Sequence, residues 1–84
     1  MQETIKLYGS SGCPTCMGAK KYLEQRDVPF EYIDVRTDQE GMEVLDAMGI
    51  HTIPVITWQD QLITGFSPRQ IDKLIREVHN HGNA

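Results

Sequence analysis

Cys13 and Cys16 stand three positions apart in Gly12-Cys13-Pro14-Thr15-Cys16 and are the only thiols in the chain. Residues i and i+3 share one helix face, and their Cα separation falls within the roughly 4.4 to 6.8 Å that a disulfide tolerates. Such a pair closes and reopens with little backbone movement, as electron transfer by thiol–disulfide exchange requires. Pro14 suits the first helical position, which puts Cys13 at a helix entrance, where unpaired N–H groups and the helix dipole favour a thiolate. Cys16, one turn further in, is expected to be more buried. Cys13 is then the expected nucleophile toward a substrate disulfide. Cys16 is the expected thiol that attacks the resulting mixed disulfide, leaving Cys13–Cys16 oxidised.

The dipole alone is worth under about 1 kcal/mol, and one pKa unit about 1.4 kcal/mol. Hydrogen bonds from the Thr15 and Cys16 N–H groups must therefore supply much of any larger shift. Lys20 and Lys21 lie a turn or more beyond the motif, so moderate acidity is expected for Cys13.

Other uses of the pair fit less well. A zinc site needs two further ligands, and His51, His79 and His81 do not reproduce a His-x3 to x5-His spacing, so no metal is expected. Two cysteines are too few for the disulfide framework of a small secreted domain. Inert core thiols remain as the bland alternative, against which stands the placement of the pair between a strand pattern and a helix pattern.

The elements that must hold the motif follow from hydrophobic period. At 84 residues, with 39% apolar residues, residues 1–84 form a single small domain with an economical core. Thr4 to Tyr8 alternates as a strand with Ile5 and Leu7 on one face, and Pro14 to Arg26 reads as a helix striped by Cys16, Ala19 and Leu23. Phe30 to Val35 is a second strand by its aromatic and β-branched content. Thr37-Asp38-Gln39-Glu40 fits a capping box before a short helix carrying Leu45 and Met48, which Gly49 stops. Pro54 to Trp58 and Gln61 to Thr64 pair as a hairpin around Gln59-Asp60.

The last helix carries the fullest set of signals. Ser67 caps it, Pro68 opens it, Gln70 completes the box, Phe66 staples onto Ile71, and Ile71, Leu74, Ile75 and Val78 form its apolar face. Residues after Asn80 are expected as a frayed tail. The order β-α-β-α-β-β-α implies an α/β fold with a four-stranded mixed sheet and helices on both faces.

Composition narrows the partners. Twelve acidic residues against eight basic ones give a net charge of -4, which disfavours nucleic acid. No apolar run approaches the roughly 20 residues of a membrane span, and Met1-Gln2-Glu3-Thr4 lacks the basic flank of a signal peptide. A monomeric cytoplasmic protein that binds no membrane is the expectation.

Three blocks in order, Tyr8 to Cys16, Thr52-Ile53-Pro54-Val55 and Gly65-Phe66-Ser67-Pro68, resemble the glutaredoxin family and its thioredoxin-like fold. The resemblance implies a thiol–disulfide oxidoreductase with no bound cofactor beyond the redox-active pair. It also implies a cis Ile53–Pro54 bond and a docking groove formed by Pro14, Thr15, Thr52, Ile53, Pro54, Gly65, Phe66 and Ser67. Glutathione-dependent members commonly carry a basic residue three before the nucleophile and a Gly-Gly pair followed by Asp; here those places hold Ser10, Thr64-Gly65 and Pro68.

The Gly65-Phe66-Ser67-Pro68 block is more similar to the glutaredoxin-like electron donors of ribonucleotide reductase, which take electrons from thioredoxin reductase. Protein disulfides are thus the expected substrates, with thioredoxin reductase favoured over glutathione as electron donor. A non-catalytic redox-sensing or protein-docking module is the alternative of another class, and it has no need of both cysteines. His51 is expected at the surface rather than as a proton shuttle, and Trp58 as packing.

Overall fold

The computed structural model describes residues 4–59 and 61–82. Seven elements follow the expected order: β1 (Ile5–Gly9), α1 (Pro14–Gln25), β2 (Phe30–Asp34), α2 (Gln39–Ala47), β3 (Val55–Trp58), β4 (Gln61–Thr64) and α3 (Pro68–Gly82). They form one sheet in the order β2-β1-β3-β4. β1 runs parallel to β2 through the α1 crossover, and antiparallel to β3, which pairs antiparallel with β4. The fold is thioredoxin-like, with a mixed four-stranded sheet.

Register explains how so short a chain builds two buried layers. Leu7 pairs with Tyr32 on one side and Ile56 on the other, and Ile56 pairs with Ile63, so one row of side chains crosses the sheet. Side chains two apart share a face. This face therefore also carries Ile5 and Trp58, against which α1 packs Ala19 and Leu23 and α3 packs Ile71, Leu74 and Ile75. The adjacent row, Ile33, Tyr8 and Val55, points the opposite way and meets Leu45 of α2. Full burial of one Leu or Ile contributes about 1.5 to 3 kcal/mol, so the larger layer carries most of the hydrophobic stabilisation.

Several boundaries differ from expectation for local reasons. α1 stops at Gln25, because Arg26 caps it and Asp27 takes a left-handed φ of 63°. The cap of α2 is Asp38 rather than Thr37: the Asp38 carboxylate accepts the Gly41 N–H at 3.2 Å. Thr37 instead donates its hydroxyl to the Asp34 carbonyl in the preceding turn. Leu45 is buried as expected, whereas Met48 sits at the helix end and stays 46% exposed. Gly49 follows with φ 74°, a conformation that costs glycine no Cβ clash.

Gln59 takes a left-handed φ of 54° in the hairpin turn, and Asp60 lies outside the described residues. α3 continues past Asn80 through His81 and Gly82, where a frayed tail was expected; Asn83 and Ala84 lie outside the described residues. Among the described residues no helix is long and apolar enough to cross a membrane.

Candidate functional site

β1 ends at Gly9, and the chain turns through Ser10, Ser11 and Gly12 into α1. Ser10 holds that turn twice: its hydroxyl accepts the Gly12 N–H at 3.3 Å, and its carbonyl accepts the Cys13 N–H at 3.1 Å. Ser10 is only 4% exposed, and its hydroxyl is engaged in holding the loop.

Cys13 is the N-cap of α1, with extended φ and ψ of -106° and 111° and Pro14 directly after it. Its sulfur takes the place of a capping hydroxyl, accepting the Cys16 N–H at 3.3 Å, while its carbonyl accepts the Met17 N–H at 3.0 Å. A helix N-terminus favours an anion at that position. Cys13 is half-buried, and Cys16, in the first turn, is completely buried; both are free thiols.

The two thiols ionise in opposite senses. Cys13 is held below its ordinary value, first by a hydrogen bond with the Cys16 thiol, then by the Cys16 N–H, with a smaller contribution from the Thr15 N–H. The Cys16 and Thr15 N–H groups contribute as expected, but the largest effect comes from the partner thiol. Cys16 is pushed up to about 11, first by burial and then by the same hydrogen bond seen from its donor side. Negative charge on Cys13 and Asp34 adds to the rise. At neutral pH Cys13 is therefore the more available anion and Cys16 holds its proton.

Gly9 brings Cys16 flush against the sheet. A Cβ placed on Gly9 would lie 2.9 Å from Cys16 Cβ and 3.1 Å from its Sγ. No larger residue fits there without moving the thiol.

The residues expected to form the groove lie on the segment before β3, the end of β4 and the starts of α1 and α3. Ile53–Pro54 is cis, as the resemblance implied. Thr52 and Ile53 line a cavity of about 280 Å³ together with Ser10, Arg36 and Met42. Pro54 is buried, and its carbonyl accepts the Gly65 N–H at 2.8 Å, which ties the segment before β3 to the end of β4. Phe66 is 38% exposed and lies over α1: its ring meets Tyr22 edge-on at 5.8 Å, above the bare Cα of Gly18. Pro14 and Thr15 are exposed at the helix start, and Ser67 is half-buried ahead of α3. His51 stands at the surface, its Nδ1 3.7 Å from an Asp46 carboxylate oxygen, and Trp58 is buried in the core.

Arg36 was not foreseen. It follows β2, and its Nη1 lies 3.2 Å from the point a Cβ on Gly12 would occupy, so a guanidinium rests on the loop that carries Cys13. Nothing in its sequence separation from the motif signals this; the parallel pairing of Gly9 with Asp34 brings the two loops side by side. Among the described residues no group of three or more His, Cys, Asp or Glu side chains is placed to hold a metal ion.

A strand leading into a helix capped by the first thiol of a Cys-x-x-Cys pair, on a four-stranded mixed sheet, defines a dithiol redoxin of the thioredoxin fold. Comparison with known proteins gives the family. The glutaredoxin family model matches residues 5–63, and the chain belongs to the glutaredoxin family. It is a glutaredoxin-like thiol–disulfide oxidoreductase. The chain is similar to the glutaredoxin-like protein NrdH of Escherichia coli K12, at 34% identity over 89% of this chain and 93% of that protein. It is 32% identical to a glutaredoxin-like 8.6 kDa protein encoded in a rubredoxin operon of Clostridium pasteurianum, covering 87% of this chain and 99% of the other. Among solved structures, the E. coli NrdH-redoxin, described as having a thioredoxin-like activity profile, superposes with a TM-score of 0.78 at 34% identity over 84% of this chain and 93% of that chain. A glutaredoxin from Archaeoglobus fulgidus gives the same TM-score at 26% identity over 89% and 88%.

Proposed function

We propose that this chain reduces protein disulfides by dithiol exchange through Cys13-Pro14-Thr15-Cys16 and is itself re-reduced by thioredoxin reductase. The carrying observation is the asymmetry of the pair: Cys13 at the helix entrance accepts the Cys16 N–H at 3.3 Å, while Cys16 is wholly buried. Cys13 thiolate attacks a substrate sulfur, forming one Cys13–substrate disulfide and releasing the other substrate sulfur as a thiolate. Cys16 then attacks Cys13 Sγ, the Cys13–substrate bond breaks, and the substrate leaves as a second thiol. Two electrons have passed to the substrate, and Cys13–Cys16 is oxidised.

The substrate chain lies in the groove of Pro14, Thr15, Thr52, Ile53, Pro54, Gly65, Phe66 and Ser67. Ribonucleotide reductase is one protein of the class it would serve, and the protein acts as a cytoplasmic monomer. Thioredoxin reductase as donor is supported by Ser10, whose buried hydroxyl is committed to the loop and has no charge to hold a peptide carboxylate. Pro68 likewise offers no carboxylate to a peptide amine. One observation favours glutathione instead: the Arg36 guanidinium beside Gly12 restores a cation near Cys13.

A paired assay separates the two donors. Disulfide reduction is followed through NADPH loss, with thioredoxin reductase in one reaction and glutathione plus glutathione reductase in the other. Turnover is expected in the first. Turnover only in the second, lost on Arg36→Ala, would move the assignment to glutathione, and turnover in neither would favour a docking module.

A further inference from the structure

Tyr32 Oη is the one buried side-chain oxygen or nitrogen among the described residues with no hydrogen-bond partner. Leaving a buried hydroxyl unbonded costs stability, and a phenylalanine of nearly the same shape would avoid the cost. Such an atom in a native fold calls for a reason, and a redox centre supplies one.

The position of Tyr32 gives that reason content. Tyr32 pairs with Leu7 in the row that faces α1. Its Cε1 lies 3.4 Å from the point a Cβ on Gly9 would occupy, and Cys16 Sγ lies 3.1 Å from the same point. The ring and the buried thiol thus flank one glycine. The charged and titratable groups facing this spot are Cys13 and Lys20 from α1 and Asp34 from β2; Leu7 and Gly9 of β1 bring none. Lys20 Nζ stands 5.1 Å over the Tyr32 ring. Cys13 and Asp34 both oppose ionisation of Cys16. Tyr32 is the neutral neighbour with a proton to donate.

We infer that Tyr32 is a positioning residue for the second half of the exchange, its hydroxyl donating to the Cys16 sulfur as that sulfur becomes a thiolate and attacks Cys13. This inference rests on the proposed division of labour between Cys13 and Cys16. The balance of the step is unchanged by it. The Cys16 S–H proton ends on the departing substrate sulfur, the Cys13–substrate bond breaks as Cys13–Cys16 forms, and Tyr32 keeps its own proton throughout. In the reduced protein Cys16 is protonated and the hydroxyl has no anion to serve, consistent with its unpaired state.

Tyr32→Phe tests this in the reduced full chain mixed with dithiobis(nitrobenzoate), a chromophoric aromatic disulfide. The first thionitrobenzoate released reports attack by Cys13, and the second reports resolution by Cys16. In the variant the second phase is expected to slow about tenfold at neutral pH, the loss of a hydrogen bond to a charged group, with its rise displaced to higher pH and the first phase unaltered. A merely structural Tyr32 would leave the pH profile of the second phase where it was, and that result overturns the inference. Biosynthetic meta-fluorotyrosine, a stronger donor in an unaltered shape, is expected to speed the second phase; an unchanged rate also overturns it. If the parent protein shows no second phase, or Cys16→Ser retains it, the Cys13–Cys16 reading itself fails and this inference with it.

Discussion

The Cys16 N–H donates to Cys13 Sγ at 3.3 Å, so the sulfur at the head of α1 is also the cap of that helix. Ionising Cys13 strengthens the cap, because a thiolate accepts a hydrogen bond better than a thiol. The Cys13 ionisation curve is therefore expected below the ordinary thiol value of about 8.5, with reactivity lost as pH falls through it. Iodoacetamide trapping with mass mapping should label Cys13 alone at neutral pH. Cys16→Ala removes the largest contribution to this shift, so its Cys13 should need higher pH to react.

Stability at alkaline pH follows with the opposite sign. Cys16 is raised to about 11 in the fold, against about 8.5 in the unfolded chain. Between those values the folded chain binds a proton that the unfolded chain has lost, so the stabilisation is full below about 8.5 and declines as pH rises toward 11. Urea midpoints of the reduced protein should fall across that window. In Cys16→Ala the decline should flatten.

Gly9→Ala asks what close approach is worth. The new methyl would stand 2.9 Å from Cys16 Cβ and 3.1 Å from its Sγ, which ordinary packing does not allow. Overpacking of this kind costs about 1 to 3 kcal/mol. The variant should unfold at lower urea and also resolve its mixed disulfide slowly, since the displaced atom is a reacting one. Mass spectrometry of quenched reactions should then show accumulated Cys13 adduct.

The cap of α2 separates two side chains that sequence pattern treats alike. Asp38 accepts the Gly41 N–H, whereas the Thr37 hydroxyl donates to the Asp34 carbonyl at 3.3 Å in a turn. Asp38→Ala should cost about 1 kcal/mol, the usual loss on removing a cap. Thr37→Ala should cost less. Thermal unfolding of the two variants decides which residue closes the helix.

These cases mark how far local pattern reaches. Pro14 after Cys13 and the alternation of Ile5 and Leu7 are local signals, and they suffice to put the thiol pair between β1 and α1 without reference to packing. Thr37 failed as a cap because Ser, Thr, Asp and Asn compete for that position, and only the backbone path selects among them. Arg36 and Tyr32 were illegible for another reason. Both reach the site through the parallel pairing of β1 with β2, a contact between segments more than twenty positions apart, and no local pattern names the partner. Tyr32 carried one partial signal: the alternation of Phe30 to Val35 puts it on a single face with Phe30, although nothing local says that this face meets Cys16.

Gly41→Ala sets helix propensity against packing. Gly41 lies in the first turn of α2, where alanine should stabilise the helix by about 1 kcal/mol on propensity alone. A Cβ there would stand 2.5 Å from Cγ2 of Ile33, a β-branched residue of β2 with one strongly restricted χ1. That methyl cannot swing aside cheaply, and Asp38 fixes the helix start by its bond to the Gly41 N–H. Relief must come from α2 lifting off the sheet, which loosens the layer that holds Leu45 against Tyr8 and Val55. Overpacking at about 1 to 3 kcal/mol outweighs the propensity gain. The variant should therefore be less stable than the parent in urea, while the first, Cys13-dependent phase of disulfide attack stays at its parental rate, because α1 lies on the opposite face of the sheet.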